Sequence, residues 1–184
     1  MRTAKEMEEY CIENGFSTRK KSVLKHFQII EKQLKADETV KVSLITNGVY
    51  NGQQIVMGGT VAIAFTNKRL IYAQEGGFLL GTQLKIVNLD QVNDIHKDSF
   101  GLTFGKIKID TIRENVVIPI LKEQIDRAFY EISSIIDDYK NNAPKTTVQQ
   151  ISSADELLKF KELLDLGAIS NEEFEAKKKQ ILGL

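Results

Sequence analysis

Thr60-Val61-Ala62-Ile63-Ala64-Phe65-Thr66, then Asn67-Lys68, then Arg69-Leu70-Ile71-Tyr72-Ala73, is the stretch that decides the fold. Two apolar runs rich in β-branched and aromatic residues flank two polar ones, which is the pattern of strand, turn and strand. Working outward, Val40-Lys41-Val42-Ser43-Leu44-Ile45 reads as the preceding strand. Further strands fit Gln83 to Leu89, Gln91 to His96, Leu102 to Asp110 and Asn115 to Ile118. Phe104, Lys106 and Lys108 alternate with Ile107 and Ile109, which marks a sheet with one wet face. Turn residues at Gly58-Gly59, Gly76-Gly77, Asn88 to Asp90 and Ser99 to Gly101 separate the strands. Pro119 is expected to end the last strand and open a helix with Leu121, Ile125, Phe129, Ile132 and Ile136 along one face. The expected class is α+β, a seven-stranded sheet closed by one amphipathic helix.

Helices are expected at both ends. Residues 3–14 place Met7, Tyr10 and Cys11 on one face with Gly15 as the stop. Arg19 to Lys35 repeats Val23, Phe27, Ile30 and Leu34 at one-turn intervals. After Tyr139 periodicity is lost through Gln150, a stretch that reads as a linker. Beyond it, Ser153 and Glu156, then Ser170 and Glu173, have the spacing of reciprocal helix caps. Gly167 suits the end of the first helix, while Ile169 and Phe174 stand where a hydrophobic staple would. Two helices this short bury too little to offset their own ordering entropy, so they need a further surface.

Phe65-Thr66-Asn67-Lys68-Arg69-Leu70-Ile71-Tyr72 resembles the strand-turn-strand signature of bacterial pleckstrin-homology (PH)-like domains of the YokE-like kind, and Asn88-Leu89-Asp90-Gln91-Val92 resembles their next stretch. The resemblance implies a half-open seven-stranded barrel capped by its C-terminal helix. Leu163-Leu164-Asp165-Leu166-Gly167-Ala168-Ile169-Ser170, with Glu172-Glu173-Phe174-Glu175 and Lys177-Lys178, resembles the short C-terminal domain called SHOCT. That resemblance implies a helical hairpin acting in oligomerisation or partner contact, with no catalytic residues. The expected organisation is an N-terminal helical segment at 1–36, a PH-like domain at 37–139, a linker at 140–150 and the hairpin at 151–184.

The formal net charge is zero, which weighs against a nucleic-acid binder working by bulk electrostatics. Residues 1–36 hold eight basic against five acidic residues, and residues 151–184 hold five against seven. A lone cysteine, Cys11, excludes an internal disulfide and a Cys-rich metal site. The charged start and the lack of a long apolar run read as a cytoplasmic, soluble protein.

Catalysis has little to work with. The two histidines, His26 and His96, fall in different expected domains, and no Ser–His–Asp or Cys–His arrangement assembles from local spacing. Asp94 and Asp98 bracket His96, a pattern a divalent ion could use, although polar strand ends are common without one. No cofactor is expected. The segment Asn47 to Gly59 reads as the first interstrand loop and carries no Lys or Arg, which argues against phosphoinositide binding. Its Val49, Tyr50, Ile55, Val56 and Met57 either project as an apolar patch or fold over the barrel mouth.

The leading expectation is a non-enzymatic protein of bacterial or phage type. It would bind a protein partner or a second copy through Leu163, Leu166, Ile169, Phe174 and Ile181. The alternative is peripheral attachment to an anionic membrane through Arg19, Lys20, Lys21 and Lys25, with Tyr50, Ile55 and Met57 inserting.

Overall fold

The computed structural model describes residues 1–16, 23–76, 81–100, 102–142 and 153–182. They fall in two compact units, Met1–Asn142 and Ala143–Leu184.

The first unit opens with α1 (Ala4–Glu13) and α2 (Leu24–Glu31). Seven strands follow: β1 (Val40–Asn51), β2 (Gln54–Thr66), β3 (Arg69–Glu75), β4 (Thr82–Asn88), β5 (Val92–Phe100), β6 (Phe104–Thr111) and β7 (Asn115–Leu121). The helix α3 (Lys122–Asn142) ends the unit. The strands form one antiparallel sheet in the order β4-β3-β2-β1-β7-β6-β5. β1 meets β7 in register at Tyr50 and Val117. An ion pair joins Lys85 of β4 to Glu114 in the β6–β7 turn, across the half-open barrel. The other mouth is filled by α3, whose Ile125, Ala128, Ile132, Ile135 and Ile136 are buried. This is a PH-like α+β fold.

The strands of the β1–β3 half are apolar on both faces. Val61 to Phe65 and Leu70 to Ala73 are buried without alternation, because one face looks into the barrel and α1 and α2 cover the other. Met7, Cys11, Phe27 and Ile30 of these helices are wholly buried in the same core. The Ser43 hydroxyl donates to the Met7 carbonyl (2.7 Å), pinning α1 to β1. The Tyr10 hydroxyl donates to Glu131 of α3. The N-terminal helices are therefore part of the unit.

Several expectations change. Asn47 to Gly59 is no loop: β1 and β2 run through it and turn only at Gly52-Gln53. Its glycines suggested punctuation, but Gly48 and Gly58 pair with one another beside ladder irregularities. A Cβ on Gly48 would come within 3.0 Å of the Met57 carbonyl, so glycine there permits a close strand approach. Pro119 likewise lies inside β7, opposite Lys106, and the helix starts three residues later. Its carbonyl accepts from the Thr46 hydroxyl of β1 (2.8 Å). The missing N–H would point the same way, toward a neighbour with which β7 shares little ladder, so the sheet loses little. The second helix ends at Glu31, short of the expected Lys35, and Lys140 to Asn142 continue α3 instead of opening a linker.

The second unit is a helical hairpin, α4 (Ser153–Asp165) and α5 (Asn171–Leu182). α4 ends at Gly167, whose φ of 69° is left-handed. Ala168 N–H donates to Leu163 O and Gly167 N–H to Leu164 O (both 2.9 Å), the two bonds of a Schellman ending. α5 begins on Ser170, whose N–H donates to Glu173 Oε2 (2.8 Å) while its hydroxyl accepts from the Glu173 N–H (3.2 Å). These bonds hold the Glu173 carboxyl below its ordinary range. The expected box at Ser153 and Glu156 involves side chains outside the described residues.

Candidate functional site

The polar letters of the family-like motif do structural work. Thr66 donates to Glu38 Oε1 (2.6 Å), and Asn67 Oδ1 accepts from the Thr39 N–H (2.9 Å). Lys68 pairs with Asp37. Arg69, 8% exposed, grips the fully buried Glu38 through both nitrogens of its fork and donates to Gln33 O (2.8 Å). The turn between β2 and β3 is thus a clip for Asp37-Glu38-Thr39, and Arg69 is a buried structural cation.

Of the residues expected at a membrane, the structure describes Lys25, Tyr50, Ile55 and Met57. Arg19, Lys20 and Lys21 lie outside the described residues. Lys25 is exposed and pairs with Glu75 (3.7 Å). Val49 and Met57 are buried in the barrel and Tyr50 is half-buried, because the β1–β2 hairpin turns that side inward. Of the named insertion residues, Ile55 is the most exposed, at 66%. Among the described residues no helix is long and apolar enough to cross a membrane.

His26 on α2 accepts the Glu75 N–H at Nδ1 (3.0 Å). Cys11 is fully buried, and that burial pushes its thiol up to about 12, so it offers no thiolate at neutral pH.

Two surfaces carry exposed chemistry. The first is the outer face of β5 and β6, the wet face legible in the alternation. Asp94, His96 and Asp98 of β5 stand opposite Asp110, Lys108 and Lys106 of β6. Lys108 Nζ lies 2.6 Å and Lys106 Nζ 3.9 Å from Asp98 Oδ2. The hydrogen bond from Lys108 leads the influences that hold the Asp98 carboxyl below its ordinary value. Asp98 is thereby tied to the lysines, and the triad around His96 differs from the one its sequence neighbours suggest. Asp94, His96 and Asp110 bring one ligand atom each within 4.8 Å of one another. His96 Nδ1 is 3.8 Å from Asp110 Oδ2. An open cleft of about 400 Å³ is lined by His96, Asp110, Lys106, Lys108 and the Gly52-Gln53 turn. Asp110 was missed because it lies on the next strand; the signal was the Lys106, Lys108, Asp110 alternation itself.

The second surface is the hairpin. Among its described side chains none is buried. Leu157, Phe160, Leu164, Ile169, Phe174 and Ile181 are half-buried. Leu158 (61%), Leu163 (39%) and Leu166 (80%) are exposed. Lys177 lies over the Phe160 ring (5.6 Å), linking α5 to α4.

Comparison with known families gives two matches. A model described as a bacterial PH domain matches residues 34–134, and one described as a short C-terminal domain matches residues 155–182. Domains of both kinds are generally non-catalytic. No curated protein matches the chain.

Proposed function

The chain belongs to the bacterial PH-domain family, and from that premise we propose that it is a non-enzymatic interaction protein whose C-terminal hairpin pairs with a second copy. The observation that carries this is the hairpin's burial: none of its described side chains is fully buried, while three leucines stand exposed. Half-burial of a few apolar groups offsets little of the entropy lost in ordering some thirty residues, so a second surface is needed.

The charges favour a copy as that surface. α5 carries Glu172, Glu173 and Glu175 in its first half and Lys177, Lys178 and Lys179 in its second. Laid antiparallel about a two-fold axis, two such helices set each acidic half against a basic one. Leu163 and Leu166 then supply apolar contact. Ile169, Phe174 and Ile181, half-buried in the hairpin, support the surface more than they form it.

The test is the double substitution Leu163→Glu with Leu166→Glu in the full chain. Both residues are exposed, so the hairpin itself tolerates the change. The wild-type chain is expected to associate and the variant to sediment as a monomer with unchanged helix content. A monomeric wild type, or a variant that associates equally well, contradicts the proposal.

A further inference from the structure

We propose that Asp94, His96 and Asp110 on the outer face of β5 and β6 form a binding site for a first-row divalent cation, with Zn²⁺ the ion best matched to the donors. The inference does not depend on self-association.

The donor set comes first. Two carboxylates and one imidazole are a mixed oxygen and nitrogen set, which suits Zn²⁺, Co²⁺ or Mn²⁺ better than the all-oxygen preference of Ca²⁺ or Mg²⁺. The three ligand atoms lie within 4.8 Å of one another. Ligands on a common tetrahedral ion with bonds of about 2.0–2.2 Å stand roughly 3.3 Å apart. Small side-chain rotations at a solvent-facing site close that difference.

The charge arrangement is the independent argument. Asp94 is directly opposite Asp110 across the ladder, and like charges so placed destabilise a sheet. The lysines that share this face converge on Asp98, leaving His96 as the basic group at the Asp94–Asp110 pair. A cation between the two carboxylates removes the repulsion.

Strand geometry also places the pair. The register of β5 shifts between Val92 and Asp94. With a regular alternation these residues would share a face, yet Val92 is 4% exposed and Asp94 points to solvent. The bulge at Asn93 re-aims the strand so that Asp94 meets Asp110. Three protein ligands beside an open cleft leave further coordination positions for water or an anion, with Lys106 and Lys108 on the same wall.

The experiment is titration of the full chain with Zn²⁺ by calorimetry, repeated with His96→Gln, Asp110→Asn and, as a control, His26→Gln. One ion per chain is expected for the wild type and for His26→Gln, with at least a tenfold loss of affinity in His96→Gln and Asp110→Asn. In a second arm, which needs no variant, Mn²⁺ should broaden the amide resonances of residues 94–96 and 108–110 before any others. No uptake at millimolar Zn²⁺, undiminished uptake in the His96 and Asp110 variants, or broadening centred elsewhere overturns the site.

Discussion

Glu38 and Arg69 show how one pair of side chains can fix the relation between two segments. Burial pushes the Glu38 carboxyl up and is the largest single influence on it. The Arg69 fork, the Thr66 hydroxyl and the Lys35 N–H together outweigh that influence and hold it below the ordinary range of a glutamate. A carboxyl depressed in the folded state stabilises the fold fully above its unfolded value and loses that contribution as pH falls through the folded one. Urea unfolding should therefore show stability declining below about pH 4.5, with a shallower decline in Glu38→Gln. Arg69→Met leaves a buried carboxylate without its cation and is expected to cost about 3–5 kcal/mol at pH 7. Equal acid sensitivity in Glu38→Gln and wild type would contradict this assignment. In sequence, Arg69 reads only as the first residue of a strand. Its partner lies 31 positions away, beyond the reach of any local pattern.

At the scale of elements, what was legible followed from spacing alone. The cap of α5 and the left-handed end of α4 are each contained within six residues, so chain order reveals them. The same holds for the strand, turn and strand at 60–73 and for the face of α3. What was illegible depends on neighbours distant in sequence. Pro119 and the glycines of 47–59 look like breaks until the adjacent strand is known. The buried run Val61 to Phe65 did carry a readable signal, since a strand apolar at every position is covered on both faces. Gly105 is a further case. A Cβ there would meet Ile125 Cδ1 at 2.6 Å and the Asp98 carbonyl at 2.9 Å, so β6, β5 and α3 meet where only glycine fits. Gly105→Ala is expected to destabilise the chain by about 1–3 kcal/mol. Ile125→Val in the same chain should recover part of that, because it removes the Cδ1 methyl. An unchanged melting temperature in Gly105→Ala would sink the packing argument.

For the whole molecule, the division of labour follows from burial. Met1–Asn142 holds all the fully buried apolar side chains among the described residues, and its helices, sheet and α3 share one core. The hairpin has caps at its described helix ends and almost no core. It is a locally specified element, and under the proposal contact with a second copy stabilises it. The candidate cation site, by contrast, lies on the wet face of the first unit and should survive loss of the hairpin. The central claim is that the hairpin assembles copies of a self-sufficient PH-like unit. Absolute mass by light scattering after gel filtration tests it most directly, comparing the full chain with one ending at Asn142. The full chain is expected at twice its own mass, and the shortened chain folded and monomeric. A monomeric full chain, or a shortened chain that still associates, would contradict it.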